Sequence, residues 1–194
     1  MERLAQNLTN LIHCNKPELS DLEIKKIKFG LECFLGETSK FLLYLMIFGF
    51  FSLTKEFLLA TVFFCVPRTY AGGFHADTYW SCFFTSLAIL SSIIVIGSNV
   101  VFVLDMKYIL ILLTFILVWI YAPVDHPNKP IISEQRRKNL KYVSLAIVTL
   151  FTGISFVVSV EYGGIATVAL FVEALSLPIG EFAKRRYTNE TTNR

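Results

Sequence analysis

Residues 41–66 have the sequence FLLYLMIFGFFSLTKEFLLATVFFCV, in which two apolar blocks flank the polar triplet Thr54-Lys55-Glu56. The stretch has two interpretations: one membrane span with a polar interruption, or two short spans that form a hairpin. Each span carries the chain to the other side of a bilayer, so the choice decides on which side every later loop lies. The topology of the whole protein therefore depends on this stretch.

The composition is that of an integral membrane protein. Hydrophobic residues make up 54% of the 194 residues and charged residues 17%, whereas a typical soluble domain carries about 25% charge. The apolar residues gather into six blocks, two of which approach the ~20 residues that span a bilayer. The blocks are Phe41–Leu53, Phe57–Val66, Thr78–Ile96, Tyr108–Tyr121, Tyr142–Val160 and Ile165–Ile179. We therefore predict an all-α fold with one compact membrane domain.

The placement of charge favours the hairpin. With six spans and a cytoplasmic N-terminus, 16 of the 18 Lys and Arg residues lie on the cytoplasmic side, and only Lys55 and Lys107 lie outside. If residues 41–66 formed a single span, the basic loop at 122–141 would face outward, against the positive-inside rule. The sequence therefore predicts about six transmembrane helices with both termini in the cytoplasm.

The chain divides into three predicted segments. Residues 1–37 form amphipathic helices, which lie along the inner leaflet or pack on the protein's own loops. Within them, Ser20 and Glu23 have the capping-box spacing that begins a helix. Residues 38–180 form the polytopic membrane domain, and residues 181–194 form a basic cytoplasmic tail.

A second stretch concentrates polar side chains between the second and third apolar blocks. Its sequence is RTYAGGFHADTYWSC, residues 68–82. On a straight helix His75 and Cys82 would share a face but stand about 10.5 Å apart, so contact between them requires non-helical backbone near His75. Gly72 and Gly73 permit positive φ and the close approach of another chain segment. We therefore expect Cys82 in the first turns of the third span and His75 on a bent entry segment.

The pair formed by His75 and Cys82 has three interpretations. A position near a helix N-terminus and beside an imidazole favours a cysteine thiolate, and this is the arrangement of a cysteine nucleophile with a histidine general base. A purely structural pair is the plainer alternative. The third is a metal site with His75, Asp77, Cys82 and His126 as ligands, although no pair among them has typical zinc spacing.

Other residues near this stretch or within the spans also have a structural and a functional interpretation. Arg68 is either a snorkelling anchor at the inner leaflet or a group that holds a carboxylate or a peptide carbonyl. Glu173, in the middle of the sixth block, is expected to face the bundle interior, to be protonated or to find a partner, and helix packing is its favoured role. The aromatic residues belong to an interfacial belt or wall a dry pocket; they are Phe74, Tyr79, Trp80, Phe83 and Phe84.

Two motifs carry a resemblance to a known family. PRTYAGGFHADTYWSC, residues 67–82, resembles the signature of the accessory gene regulator B (AgrB) family of membrane-embedded cysteine endopeptidases. In that signature the arginine, the glycine pair, the histidine and the cysteine recur in this order and spacing. YAPVDHPNKPI, residues 121–131, resembles the family's second signature. The resemblance covers essentially the whole chain.

The resemblance implies an activity and a set of site residues. Such proteins cut the acidic C-terminal tail from an AgrD-like quorum-sensing propeptide and help to close the remainder into a thiolactone or lactone ring. In this chain Cys82 is then the nucleophile and His75 its base, with Asp77 and Asp125 as candidates to orient His75. The implied substrate-binding residues are Arg68, Gly72, Gly73 and Lys129.

The resemblance also implies partners and a location. We expect an AgrD-like propeptide, membrane lipids and a second copy of the chain in a homodimer, and no cofactor, metal or nucleic acid. The location is the cell membrane of a Gram-positive bacterium, with the active site at the cytoplasmic face. Lys129 belongs to the loop at 122–141, whose charge suits either a solvated face or a dock for the acidic tail. The alternatives to a protease are a peptide transporter and a metal-dependent membrane hydrolase.

Overall fold

The structure is a computed structural model, and it describes residues 2–16, 18–73, 78–99, 104–125, 131 and 133–192. Within these ranges the chain forms α-helices and no β-strand, so the predicted all-α class is confirmed. The helices are α1 (Glu2–Asn15), α2 (Asp21–Phe50), α3 (Thr54–Ala71), α4 (Tyr79–Asn99), α5 (Leu104–Tyr121), α6 (Glu134–Val157) and α7 (Val160–Thr192).

Each of the six apolar blocks lies within one of the helices α2–α7, apart from a few residues at the ends of the blocks. Some of the helices extend well beyond their blocks. In the described part of the chain, four helices are long and apolar enough to cross a membrane: Asp21–Phe50, Tyr79–Asn99, Glu134–Val157 and Tyr162–Arg185. A shorter apolar helix covers Met106–Tyr121. α3 is not among the four, because its 18 residues include the charged side chains of Lys55, Glu56 and Arg68.

The first compact unit of the chain is Met1–Ser52, which contains α1 and α2. α2 begins where the sequence predicts: the Ser20 hydroxyl accepts from the Glu23 amide at 3.4 Å, and the Glu23 carboxylate accepts from the Ser20 amide at 2.9 Å. This reciprocal capping box satisfies two amides that the first turn of a helix leaves without partners. α2 then continues without a break to Phe50, so the predicted segment boundary after residue 37 falls inside one helix.

The helix is broken between the two apolar blocks of residues 41–66. α2 ends at Phe50, and Ser52 adopts a φ of 58°, a left-handed conformation that interrupts a right-handed helix. α3 begins two residues later at Thr54, just where the polar triplet starts. The stretch therefore forms two helices rather than one interrupted helix.

The second compact unit is Leu53–Arg194, and its central element is α7. This helix packs against α3, α4, α5 and α6, and most side chains of its middle turns are buried, including Ile165, Leu170 and Leu177. α4 approaches it closely at Gly97, where a Cβ would lie 2.5 Å from the Cα of Ile165. Small residues allow such close backbone packing between apolar helices. Side chains of α7 therefore reach all four surrounding helices.

Candidate active site

The segment that carries Cys82 links α3 to α4. Arg68 lies in the last turn of α3, and Gly72 and Gly73 follow with φ values of 84° and 135°, which glycine adopts readily. Cys82 lies in the first turn of α4, half-buried, and its amide donates to the Thr78 carbonyl at 2.9 Å. The predicted location of Cys82 at the start of the third apolar helix is confirmed. His75, Asp77 and Phe74 lie outside the described residues.

The two family-like motifs meet through their backbones. Gly72 and Val124 form an isolated parallel bridge, and the Val124 amide donates to the Ala71 carbonyl at 2.8 Å. A Cβ on residue 72 would lie only 1.9 Å from the Val124 carbonyl oxygen. Gly72 is therefore required both by its backbone conformation and by this close approach. The loop after α5 is thus fastened to the turn that leads towards Cys82.

Arg68 is directed inward, towards α7. Its Nη1 atom donates to the Ser176 hydroxyl at 3.2 Å, and its guanidinium lies 5.4 Å from the centre of the Phe64 ring. A Cβ on Gly73 would lie 2.5 Å from the Ser176 hydroxyl and 3.2 Å from Arg68 Nη1. Arg68, Gly73 and Ser176 therefore converge at one point beside the turn. Sequence reasoning did not identify Ser176, because an isolated serine in an apolar helix carries no motif.

Glu173 lies one turn before Ser176 on the same helix. Its side chain is fully buried, and among the described residues neither carboxylate oxygen has a hydrogen-bond partner. The positively charged group that acts on it is Arg68. The expectation that Glu173 faces the bundle interior is confirmed, and its carboxyl group lies on the side of α7 that faces the converging residues.

Asp125 is the centre of an ionic cluster just after the Gly72 bridge. Its Oδ1 atom lies 2.6 Å from Lys184 Nζ and 3.1 Å from Arg137 Nη2, and its Oδ2 accepts from the Ile131 amide at 3.1 Å. Burial of the carboxylate opposes its ionisation, but these hydrogen bonds outweigh that effect and lower the pKa of Asp125 to about 2. The cluster ties the loop after α5 to α6 and α7. Its suggested role in orienting His75 stays a prediction.

No sequence signal linked Asp125 to Lys184. Lys184 lies within the basic tail, where the positive-inside rule already accounts for a cation. α5 ends at Tyr121, and α6 begins at Glu134. Lys129 and His126 lie outside the described residues.

A cavity of about 340 Å³ lies beside the Gly72 bridge. The end of α3, the loop after α5 and the start of α6 line it, and its residues include Thr69, Tyr70, Gly72, Asp125, Ile131 and Arg136. Its walls combine backbone of the glycine turn with an acidic and a basic side chain. Such a mixed lining suits a peptide segment, which presents backbone amides and charged side chains together.

The aromatic residues at the start of α4 pack on one another. The centre of the Trp80 ring lies 5.9 Å from the centre of the Phe83 ring, in an edge-to-face arrangement. It lies 6.1 Å from the centre of the Phe84 ring, in a stacked arrangement. Phe83 is buried, whereas Trp80 and Phe84 are 62% and 61% exposed. Phe83 therefore contributes to the bundle interior, and the two exposed rings have the exposure of an interfacial belt.

In the described ranges, no three His, Cys, Asp or Glu side chains come together as metal ligands would. Of the four ligands in the metal hypothesis, His75, Asp77 and His126 lie outside those ranges.

Comparisons with known proteins identify the family. The accessory gene regulator B family model matches residues 5–177. An AgrB-like protein of Clostridium beijerinckii is 22% identical over 178 residues, which cover 91% of this chain and 87% of the relative. Another from Listeria welshimeri is 32% identical over 175 residues, 84% of this chain and 82% of the relative. No solved structure matches the chain. The resemblance expected from the two motifs is confirmed, and the chain belongs to the accessory gene regulator B family.

Proposed function

We propose that this protein is a membrane-embedded cysteine endopeptidase that removes the C-terminal tail of an AgrD-like propeptide and promotes cyclisation of the remainder. The observation that carries the proposal is the position of Cys82. It lies in the first turn of α4, close in sequence to a glycine turn fastened to the family's second motif. Family membership supports a role in quorum-sensing peptide processing.

The proposed reaction begins with a proton transfer from the Cys82 thiol to the imidazole of His75. The thiolate attacks the carbonyl carbon of the scissile peptide bond, and the C–N bond breaks as the imidazolium returns its proton to the leaving amine. The tail departs, and the peptide remains attached to Cys82 as a thioester. This is covalent catalysis by an activated nucleophile.

Ring closure then uses a nucleophile of the peptide itself. An internal cysteine thiol or serine hydroxyl attacks the thioester carbonyl and gives its proton to His75, and Cys82 leaves as a thiolate. With a thiol the exchange converts one thioester into another, so it is near balance in free energy, and hydrolysis is the competing loss. A site that holds the internal nucleophile close favours closure, because good positioning reaches effective molarities of ~10⁵ M or more.

Arg68 is the group that we propose holds the substrate. Its guanidinium lies at the point where Gly73 and Ser176 converge, next to the turn that leads to Cys82. A guanidinium offers paired donors to a carboxylate or a peptide carbonyl. Lys129 is the proposed contact for the acidic tail, within the basic loop that follows α5.

The proposed location is the bacterial cell membrane, with α2–α7 as six spans and both termini in the cytoplasm. The four long apolar helices support it, and so does the positive-inside distribution of Lys and Arg. α3 and α5 are short for a full crossing, and local thinning of the bilayer accommodates short spans. The active site then lies at the cytoplasmic face, and the proposed assembly is a homodimer.

Co-expression with a cognate propeptide tests the proposal. Mass spectrometry should detect the released tail with the parent protein and none with C82A or H75A, while C65A, which removes a thiol from neighbouring α3, should cleave normally. A propeptide whose internal nucleophile is replaced by alanine should accumulate as a thioester on the protein that hydroxylamine releases. Cleavage by C82A would overturn the proposal and favour a transporter or another protease, and loss of cleavage with chelators would favour a metal-dependent hydrolase.

A further inference from the structure

Two cavities adjoin where α5 ends and α6 begins. The first has a volume of about 440 Å³ and is lined by the end of α5 and by charged residues of α6 and α7: Arg137, Lys138, Lys141, Glu181 and Arg185. The second has a volume of about 420 Å³ and an apolar lining: Phe115, Ile116, Trp119, Ile120 and Leu145. Ile120 lines both cavities, so they are adjacent, and we call the two together the α5–α6 groove.

The charged end of the α5–α6 groove has an excess of positive charge. The guanidinium groups of Arg137 and Arg185 already pair with carboxylates, at 3.1 Å and 3.2 Å. Lys138 and Lys141 have no carboxylate within ion-pair distance in the described part of the chain. Two cations therefore line this end without an acidic partner, and they favour an anion there.

α6 changes from polar to apolar along the groove. On α6, Lys141 and Leu145 lie one turn apart on the same face. On α5, Trp119 faces this level, and its ring lies 4.7 Å from Lys141 Nζ. Trp119 is 58% exposed, and an exposed tryptophan next to a lysine is typical of a membrane interface. The groove therefore runs from a cationic, interfacial end to an apolar end.

We propose that the α5–α6 groove binds one anionic phospholipid, with its phosphate beside Lys138 and Lys141 and an acyl chain against Phe115 and Leu145. A phospholipid has an anion joined directly to an apolar chain, and that combination matches both ends of the groove. An acidic peptide suits the charged end but leaves the apolar end without an occupant. The inference goes beyond the proposed protease activity and rests only on the membrane location.

Fluorescence quenching tests this site, because the chain contains two tryptophans and W80F leaves Trp119 alone. The W80F protein is reconstituted in phosphatidylcholine vesicles that contain phosphatidylglycerol or phosphatidylcholine with brominated acyl chains. Bromine quenches tryptophan on contact, so a lipid that prefers the groove quenches Trp119 at a lower mole fraction. We expect half-maximal quenching at a roughly fivefold lower mole fraction of brominated phosphatidylglycerol than of brominated phosphatidylcholine.

Two double variants that remove the same charge test whether the preference for phosphatidylglycerol depends on Lys138 and Lys141. In the W80F background, K138Q/K141Q should lose the preference for phosphatidylglycerol, while K25Q/K26Q, which removes the same charge from α2, should keep it. Comparing the two lipids within each variant cancels any change in Trp119 fluorescence that follows from the loss of Lys141. Equal quenching by the two lipids, or an unchanged preference in K138Q/K141Q, would overturn the proposal.

A soluble glutamate-rich peptide tests whether the charged end of the groove binds an acidic peptide instead of a lipid. If it changes Trp119 fluorescence in the W80F protein but not in W80F with K138Q/K141Q, while the lipids show no preference, the charged end binds a peptide and the lipid proposal is wrong. Propeptide cleavage by the same preparations is measured separately through Cys82. Normal cleavage without a preference for phosphatidylglycerol would overturn only the lipid site. A preference for phosphatidylglycerol without cleavage would overturn only the proposed function.

Discussion

The carbonyl oxygen of Val124 occupies the space in which a side chain on residue 72 would have to lie. An ideal Cβ there would be 1.9 Å from that oxygen, and the Val124 amide donates to the neighbouring Ala71 carbonyl at 2.8 Å. The turn after α3 and the loop after α5 therefore join through their backbones. The close approach of these two segments requires glycine at residue 72. This contact joins the two family motifs.

The first prediction concerns this contact. G72A should lower thermal stability and abolish propeptide cleavage, because the bridge must open and because φ 84° with ψ −148° is strained for alanine by roughly 1–3 kcal/mol. The measurements are the unfolding midpoint in detergent and cleavage by mass spectrometry. G153A is the control: its Cβ meets nothing within 4 Å, and alanine favours a helix interior over glycine. Equal behaviour of the two variants would contradict the close approach at Gly72.

The second prediction is a pH dependence that arises from Asp125. Its pKa is lowered from 3.8 to about 2 in the folded protein, so its ionised form stabilises the fold above pH 4. That contribution, about 2 kcal/mol, should disappear as the pH falls from 4 through 2. Unfolding midpoints measured across this range should fall more steeply for the parent than for D125N. D21N, which removes an exposed carboxylate from α2, should keep the parent's slope.

The third prediction compares the contributions of two adjacent cations of α7 to the stability of the fold. Lys184 pairs with the buried Asp125, whereas Arg185 pairs on the surface with Glu181 at 3.2 Å and is 69% exposed. K184Q should therefore destabilise the protein by 1–3 kcal/mol, since it removes a partner from a buried carboxylate. R185Q should change the stability by less than about 0.5 kcal/mol.

A double-mutant cycle between D125N and K184Q completes this test. The coupling between two groups in direct contact should be about 0.5–3 kcal/mol. A coupling near zero would mean that Lys184 does not stabilise the loop through Asp125.

The fourth prediction concerns Ser176. Its hydroxyl accepts from Arg68 Nη1 at 3.2 Å, so S176A removes one of the groups that fix the guanidinium. If Arg68 binds the substrate, S176A should raise KM for the propeptide by roughly threefold to tenfold, as expected for one hydrogen bond of 0.5–1.5 kcal/mol, with little change in kcat. S92A is the matched control, because the Ser92 hydroxyl bonds only within its own helix, to the Ala88 carbonyl. A fall in kcat with KM unchanged would argue that Ser176 acts on the chemical step instead.

Much of the candidate site follows from local sequence patterns. The start of α2 at its capping box, the separation of α2 from α3 and the position of Cys82 in the first turn of α4 were all predictable. The first and the last depend on residues a few positions apart, whereas the separation of α2 from α3 was predicted from the distribution of Lys and Arg along the whole chain. The apolar blocks likewise determine the all-α class, because a helix satisfies its own backbone hydrogen bonds in an apolar environment.

The sequence by itself therefore determined the apolar stretches that form the helices and the place of the cysteine along the chain. The tertiary structure alone decided that Gly72 contacts Val124, that Arg68 contacts Ser176, and that Asp125 pairs with both Lys184 and Arg137. The physical reason is that these contacts join residues far apart in the chain. They form only when the helices pack together, and no local pattern of hydrophobicity or charge specifies which groups that packing brings within hydrogen-bond distance.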